Sequence, residues 1–166
     1  MKTKIVRLSL IGMFAAFIFV ATMFIRIPAF TGYFNCGDGI ILFSAMYLGY
    51  DAIISASLGS ALSDILSGYV IYAPATLIIK ALMTFIAILL LHRIGKNRFG
   101  KIISFSIAEI IMVGGYFVYD SIIYSFAGAL YNIGSNVLQA IVAVILALIL
   151  SYVKFPFSFE KNRSIK

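Results

Sequence analysis

Six carboxylates, one histidine and one cysteine are all that this chain offers for acid–base, metal or thiol chemistry. They form no H-E-x-x-H, G-x-S-x-G, P-loop or Cys/His cluster, so no catalytic residue, metal site or cofactor is expected. A lone cysteine, Cys36, excludes an internal disulfide framework and a multi-cysteine metal site. His92 ends an apolar run beside Arg93 and reads as an interfacial residue rather than a ligand. The residues that stand out are polar groups set in or beside long apolar runs: Asp38, Asp64, Lys80, Glu109 and Asp120, followed by Asn132, Asn136 and Gln139 at near-helical spacing. Buried in apolar surroundings such groups are costly unless they face one another or a wet cavity. Their chemistry is binding, through charge and hydrogen bonds.

The surrounding elements are apolar to a degree that decides the class. Hydrophobic residues make up 63% of the 166 residues and charged ones 11%, with a mean hydropathy of +1.08. A soluble domain carries roughly 45–50% and about 25%. A water-soluble enzyme, a disordered tail and a nucleic-acid-binding domain are thereby excluded, despite a net charge of +7. The length fits a single membrane domain over residues 1–166. Residues 8–25 form an uncharged run behind Lys2, Lys4 and Arg7. No small-x-small cleavage site follows, so the run reads as a retained helix rather than a signal peptide. Helices are expected over 75–91, 102–119 and the second half of 121–153, with loops at 68–74 and 92–101. The stretch 39–63 is one long helix or two short ones meeting near Leu48-Gly49-Tyr50-Asp51.

Charge parity chooses between these. Eleven of the thirteen basic residues lie in the N-terminus, the 92–101 segment and the tail, and the positive-inside rule places all three in the cytoplasm beside anionic lipid. An even number of crossings must separate them, which requires two helices in 39–63. The expectation is an all-α integral membrane protein with six transmembrane helices, N-in and C-in. Its cost is a segment 39–49 that spans only about 17 Å at 1.5 Å per residue.

This topology puts Asp38, Asp64, Lys80, Asp120, Asn132, Asn136 and Gln139 in the outer half of the bundle. Asp64 and Lys80, the deepest, form either a structural ion pair or part of a polar pocket open to the outside; convergence from several helices favours the pocket. Glu109 falls towards the inner half and is not placed in that site. Seven of the ten tyrosines also lie outside: Tyr33, Tyr69, Tyr72, Tyr116, Tyr119, Tyr124 and Tyr131. They form an aromatic belt or the walls of a site for a flat ligand. Small residues recur every fourth position, as Ala52, Ala56 and Ser60 with Ser55, Gly59, Ser63 and Ser67 alongside, and as Gly12 and Ala16 next to Ala15. Such faces let helix backbones approach closely. Internal packing is the expectation for the first set; for the second, packing and a partner-docking surface both stand.

The strings Gly37-Asp38, Leu48-Gly49, Gly59-Ser60-Ala61-Leu62-Ser63-Asp64-Ile65-Leu66-Ser67-Gly68-Tyr69, Tyr72-Ala73-Pro74-Ala75-Thr76 and Ile79-Lys80, then Leu130-Tyr131-Asn132 and Gln139, resemble the substrate-binding S components of energy-coupling factor (ECF) transporters. The likeness is to the group with riboflavin, pyridoxine and hydroxymethylpyrimidine carriers. It implies a multi-pass protein of a prokaryotic plasma membrane, with six helices. Such a protein binds a vitamin or precursor (flavin, pyridine or pyrimidine type) from the extracellular side for ATP-driven uptake. It further implies that small residues of the first helix, here Gly12, Ala15 and Ala16, dock on a transmembrane coupling subunit that works with two ABC ATPases. The candidate binding residues are Asp38, Asp64, Tyr72, Lys80, Tyr116, Asp120, Asn132, Asn136 and Gln139. The alternatives are a stand-alone proton-coupled carrier, or an intramembrane enzyme using Asp64 or Glu109.

Overall fold

In the first helix, Leu10, Phe14, Ile18, Ala21 and Thr22 are buried while Leu8, Phe17, Val20 and Phe24 are exposed. One stripe at helical spacing packs inward and apolar residues cover the other faces too. That is the pattern of a helix bathed in lipid rather than water. The computed structural model describes residues 2–28 and 33–153. It contains six α-helices: α1 (Lys2–Phe24), α2 (Gly37–Leu48), α3 (Ala52–Leu66), α4 (Ala73–Ile94), α5 (Arg98–Ile123) and α6 (Phe126–Leu150). A two-stranded antiparallel ribbon, β1 (Arg26–Pro28) and β2 (Tyr33–Asn35), joins α1 to α2. Periodicity gave no sign of this ribbon, because three-residue strands are too short to show an alternation. The expectations for the Tyr33 side chain and for the basic tail lie outside the described residues.

The stretch 39–63 is two helices. They are separated by a 3-10 turn, Gly49–Asp51, in which Gly49 has φ +57°, a left-handed conformation that favours glycine. Contacts prove the reversal. Thr22 near the end of α1 lies beside Gly37 at the start of α2, and Phe14 stacks on Phe43 with centroids 6.0 Å apart. Arg7 near the start of α1 ion-pairs with Asp51 in the turn. The α3 helix then runs back along α1: Ser55 Oγ donates to the Ile11 carbonyl at 2.9 Å, and Gly59 faces Ala15 and Ile18.

The shortness of α2 is accommodated by enclosure. At 12 residues it reaches about 18 Å, yet ten of its residues are buried among α1, α3, α4 and α6. Its backbone ends therefore meet protein instead of hydrocarbon, the condition under which short segments are tolerated at membrane depth. Lys96, in the α4–α5 linker, donates to the Met46 carbonyl in the last turn of α2 at 2.9 Å, which satisfies an orphan acceptor at the negative end of the helix.

The remaining helices alternate in direction. Linkers are shorter than the sequence suggests, because side-chain caps start the helices early. Asn97 accepts from Gly100 N at 2.7 Å at the head of α5, and Ser125 accepts from Gly128 N at 3.1 Å at the head of α6; both are favoured N-cap residues. Helix α6 thus fills nearly all of the uncharged run rather than its second half. Among the described residues, five stretches are long and apolar enough to cross a membrane, one of them being 37–66 taken whole. All helices place their polar ends consistently. Arg7, Asp51, Lys96, Lys101 and Ser151 meet at one end of the bundle, and the acids Asp38, Asp64 and Asp120 gather towards the other.

Candidate functional site

At the end opposite the basic residues, polar side chains from β2 and five helices surround one cavity of about 50 Å³. Thr22 comes from α1, Asn35 from β2, Ser60 and Asp64 from α3, Thr76 and Lys80 from α4, Tyr116 and Asp120 from α5, and Asn132, Ser135, Asn136 and Gln139 from α6, with Tyr69 and Tyr72 from the α3–α4 connection. Helical spacing does the aiming. Ser60 and Asp64, Thr76 and Lys80, Tyr116 and Asp120, and Asn132 and Asn136 are each four apart, so each pair shares a helix face.

Two hydrogen-bonded networks shape the walls. In the first, Lys80 Nζ donates to both oxygens of Asp38 at 2.6 and 2.8 Å, and Gln139 Nε2 donates to Asp38 Oδ2. Gln139 Oε1 in turn accepts from the Asn35 backbone N–H at 2.9 Å, which ties the ribbon to α6. The Lys80 ammonium also lies 5.2 Å from the Tyr116 ring centroid, within cation–π range. In the second network, Tyr72 Oη donates to Asp120 Oδ1 and Asn132 Nδ2 to Asp120 Oδ2, both at 2.8 Å. Thr76 Oγ1 and Tyr116 Oη share a further bond of 2.9 Å.

Of the nine binding residues expected from sequence, eight line the cavity: Asp64, Tyr72, Lys80, Tyr116, Asp120, Asn132, Asn136 and Gln139. Asp38 stands behind them, holding Lys80. Of the two readings kept for Asp64 and Lys80, the ion pair of Lys80 is with Asp38, and both Asp64 and Lys80 line the cavity. The reversal at Gly49 brings the start of α2 between α4 and α6, and no spacing along the chain carries that placement. Residues missed are Thr22, Asn35, Thr76 and Ser135, which are uncharged and common. Ser60 was legible only as a member of a small-residue stripe.

The tyrosines divide. Tyr72 is the hub of a cluster in which Tyr69, Tyr116, Tyr119 and Tyr124 have ring centroids within 6.4 Å of its own, and three of these five rings line the cavity. Tyr131 faces outward, 71% exposed. Glu109 does not line this cavity. It is buried with neither carboxylate oxygen hydrogen-bonded among the described residues, at the edge of an apolar groove between α5 and α6.

The small residues also divide. Ala52, Ser55, Ala56, Gly59, Ser60 and Ser63 are buried, and a Cβ on Gly59 would sit 2.6 Å from the Ala15 carbonyl oxygen, so α3 uses its small face for internal contact. On α1, Gly12 and Ala16 are exposed, Ala15 is half-buried, and nothing lies within 4 Å of a Cβ built on Gly12.

Comparison with known proteins agrees with this architecture. The profile of a family described as "ECF-type riboflavin transporter, S component" matches residues 2–154. A Pyrococcus woesei protein described as lying in the gap 3′ region is 33% identical over 138 residues, covering 81% of this chain and 91% of its own length. The thiamine precursor transporter HmpT of Lactococcus lactis subsp. cremoris (strain MG1363) is 27% identical over 152 residues, covering 89% of this chain and 87% of its own. Helices of membrane-spanning length, an apolar exterior and this match over nearly the whole chain make it a multi-pass cell-membrane protein and a transporter component rather than an enzyme. The chain belongs to the ECF-type riboflavin transporter S-component family.

Proposed function

We propose that this S component acts as one membrane domain that binds a small, flat vitamin or vitamin precursor from the extracellular side and delivers it for ATP-driven uptake. In this reading six helices cross the membrane, both termini are cytoplasmic, and Gly12, Ala15 and Ala16 dock on a transmembrane coupling subunit served by two ABC ATPases. The observation that carries it is the convergence of polar side chains from β2 and five helices on one cavity, at the end away from the basic residues. The exposed small face of α1 supports docking, since small residues let a partner helix approach closely.

The size of the cavity narrows the ligand. About 50 Å³ is below the roughly 150 Å³ of a cavity that admits a benzene ring, so the site favours a single ring over three fused rings. A pyridine or pyrimidine fits better than a flavin. The relative named as a thiamine precursor transporter is consistent with this preference.

Mass spectrometry of small molecules that co-purify with the protein tests the reading directly. A single-ring heterocycle is expected, released by the cavity-filling substitution Asn136→Phe, and uptake into cells should require co-expression of the coupling subunit and ATPases. Uptake by the chain alone, abolished by Glu109→Gln, would instead support a stand-alone proton-coupled carrier. The buried carboxyl of Glu109, which makes no hydrogen bond among the described residues, is the observation in favour of that second reading.

A further inference from the structure

A groove of about 610 Å³ runs between α5 and α6 on the outside of the bundle. It extends along α5 from Ser106 to Phe117, about 17 Å or three helical turns. Ile110 and Ile145 on its rim are more than half exposed. Gly114 and Ala140 lower its walls, and nothing lies within 4 Å of a Cβ built on Gly114. This face is not that of Gly12 and Ala16, because α1 packs on α2 and α3 whereas α5 packs on α4 and α6. Groove and cavity share no lining residue.

The groove is apolar except for Ser106 and Glu109. Glu109 is 1% exposed, and neither of its oxygens makes a hydrogen bond among the described residues. Lys80, a cation within electrostatic reach of it, is held by Asp38 at 2.6 and 2.8 Å. A polar group in apolar surroundings is costly until a donor meets it. Depth decides what can bring that donor. Glu109 lies eleven residues beyond the start of α5 at Arg98, about 17 Å along the helix and so near the middle of a hydrocarbon core of about 30 Å. A lipid keeps its donors at the interface and would offer Glu109 only hydrocarbon. A second copy packed about a two-fold axis along the membrane normal would set Glu109 against Glu109. A transmembrane helix, by contrast, carries hydroxyl and carboxamide side chains to any depth, where they bond across helices.

We propose that the α5–α6 groove is the docking face for a transmembrane helix of another protein, which presents a hydroxyl or carboxamide donor to Glu109 at mid-membrane. Gly114 and Ala140 let the backbone of that helix approach. The carboxyl turns to the donor about its own side-chain bonds, without movement of α5. The inference goes beyond vitamin binding and stands whatever the cavity holds.

The test measures energy transfer in liposomes between the full chain, labelled at Cys36, and leucine-based transmembrane peptides at a peptide-to-lipid ratio low enough to keep the peptides apart. One peptide carries asparagine at its centre, one carries it near an end, and one is leucine throughout. The central asparagine should raise association about threefold or more over the other two, the scale of one hydrogen bond between helices. Glu109→Leu should erase that advantage. Gly114→Phe, which fills the groove from a position with open space around it, should weaken association even if Glu109→Leu fails to fold. Equal association of the three peptides, an advantage that survives Glu109→Leu, or association untouched by Gly114→Phe would overturn the docking face. Energy transfer between copies of the chain that is lost in Gly114→Phe would overturn it too, by giving the groove to a second copy.

Discussion

At the level of single residues, the Lys80–Asp38 pair is the interaction on which the interior most depends. Both side chains are at most 2% exposed, and Asp38 is held a second time by Gln139. Removing one partner of such a pair leaves a buried charge uncompensated, at a cost of roughly 3–5 kcal/mol, whereas replacing both is often nearly neutral. Asp38→Asn alone should therefore lower the melting temperature of the purified protein markedly, and Asp38→Asn with Lys80→Met should recover most of the loss. Pairing Lys80→Met with Asp64→Asn should not. Thermal unfolding of the three variants decides between Asp38 and Asp64 as the electrostatic partner. Cys36 gives a second residue-scale prediction. Burial, and then the nearby Asp38 carboxylate, push its thiol above the usual range. A raised value means less thiolate at neutral pH, and the thiolate is the reactive form. Maleimide labelling of Cys36 should therefore be slower than that of a free cysteine at pH 7 and should accelerate as the pH rises. A rate equal to that of the free amino acid would show that the thiol is neither buried nor held beside Asp38.

At the level of elements, two glycines on neighbouring helices meet opposite fates. Gly59 lets α3 approach the backbone of α1, with the Ala15 carbonyl oxygen 2.6 Å from where a Cβ would stand. A backbone atom cannot rotate aside, so Gly59→Leu must push the helices apart. Overpacking costs typically about 1–3 kcal/mol, and the displacement would carry Ser60 and Asp64 away from the cavity. Stability and ligand binding should fall together. Gly12 meets nothing within 4 Å, and Ala16 is exposed. Ala16→Phe should leave folding and ligand binding by the isolated protein nearly intact while abolishing transport in the presence of the coupling subunit. Equal loss of binding would place that face inside the bundle. Sequence spacing reveals both small stripes equally well; it does not say which one already has a neighbour, because periodicity marks a face without naming what covers it.

For the whole molecule, the alternation of helix direction joins the charge pattern to the site. Arg7 meets Asp51 and Lys101 meets Ser151 at one end, while Asp38, Asp120, Asn132 and Gln139 meet at the other. With the basic end held in the cytoplasm, native Cys36 should react with a membrane-impermeant maleimide in intact cells. A cysteine placed at Asn97, in a background where Cys36 is serine, should react only after permeabilisation. Labelling of the Asn97 position in intact cells would invert the bundle and move the cavity to the cytoplasmic side.

Composition and charge spacing by themselves determine that this is a helical membrane protein, and parity over three basic clusters requires a break within 39–63, where Gly49 turns the chain. They also identify the polar residues that cannot stand alone in apolar surroundings, six of which (Asp64, Lys80, Asp120, Asn132, Asn136 and Gln139) line the cavity. Which of them join is decided only by tertiary structure. Asp38 reaches Lys80 and Gln139 because the short α2 is threaded between α4 and α6, across sequence separations of 42 and 101 residues. Thr22, Asn35 and Ser135 enter the site for the same reason. Their types carry no signal in the sequence, and their importance comes from lying at the end of the bundle where the helices converge.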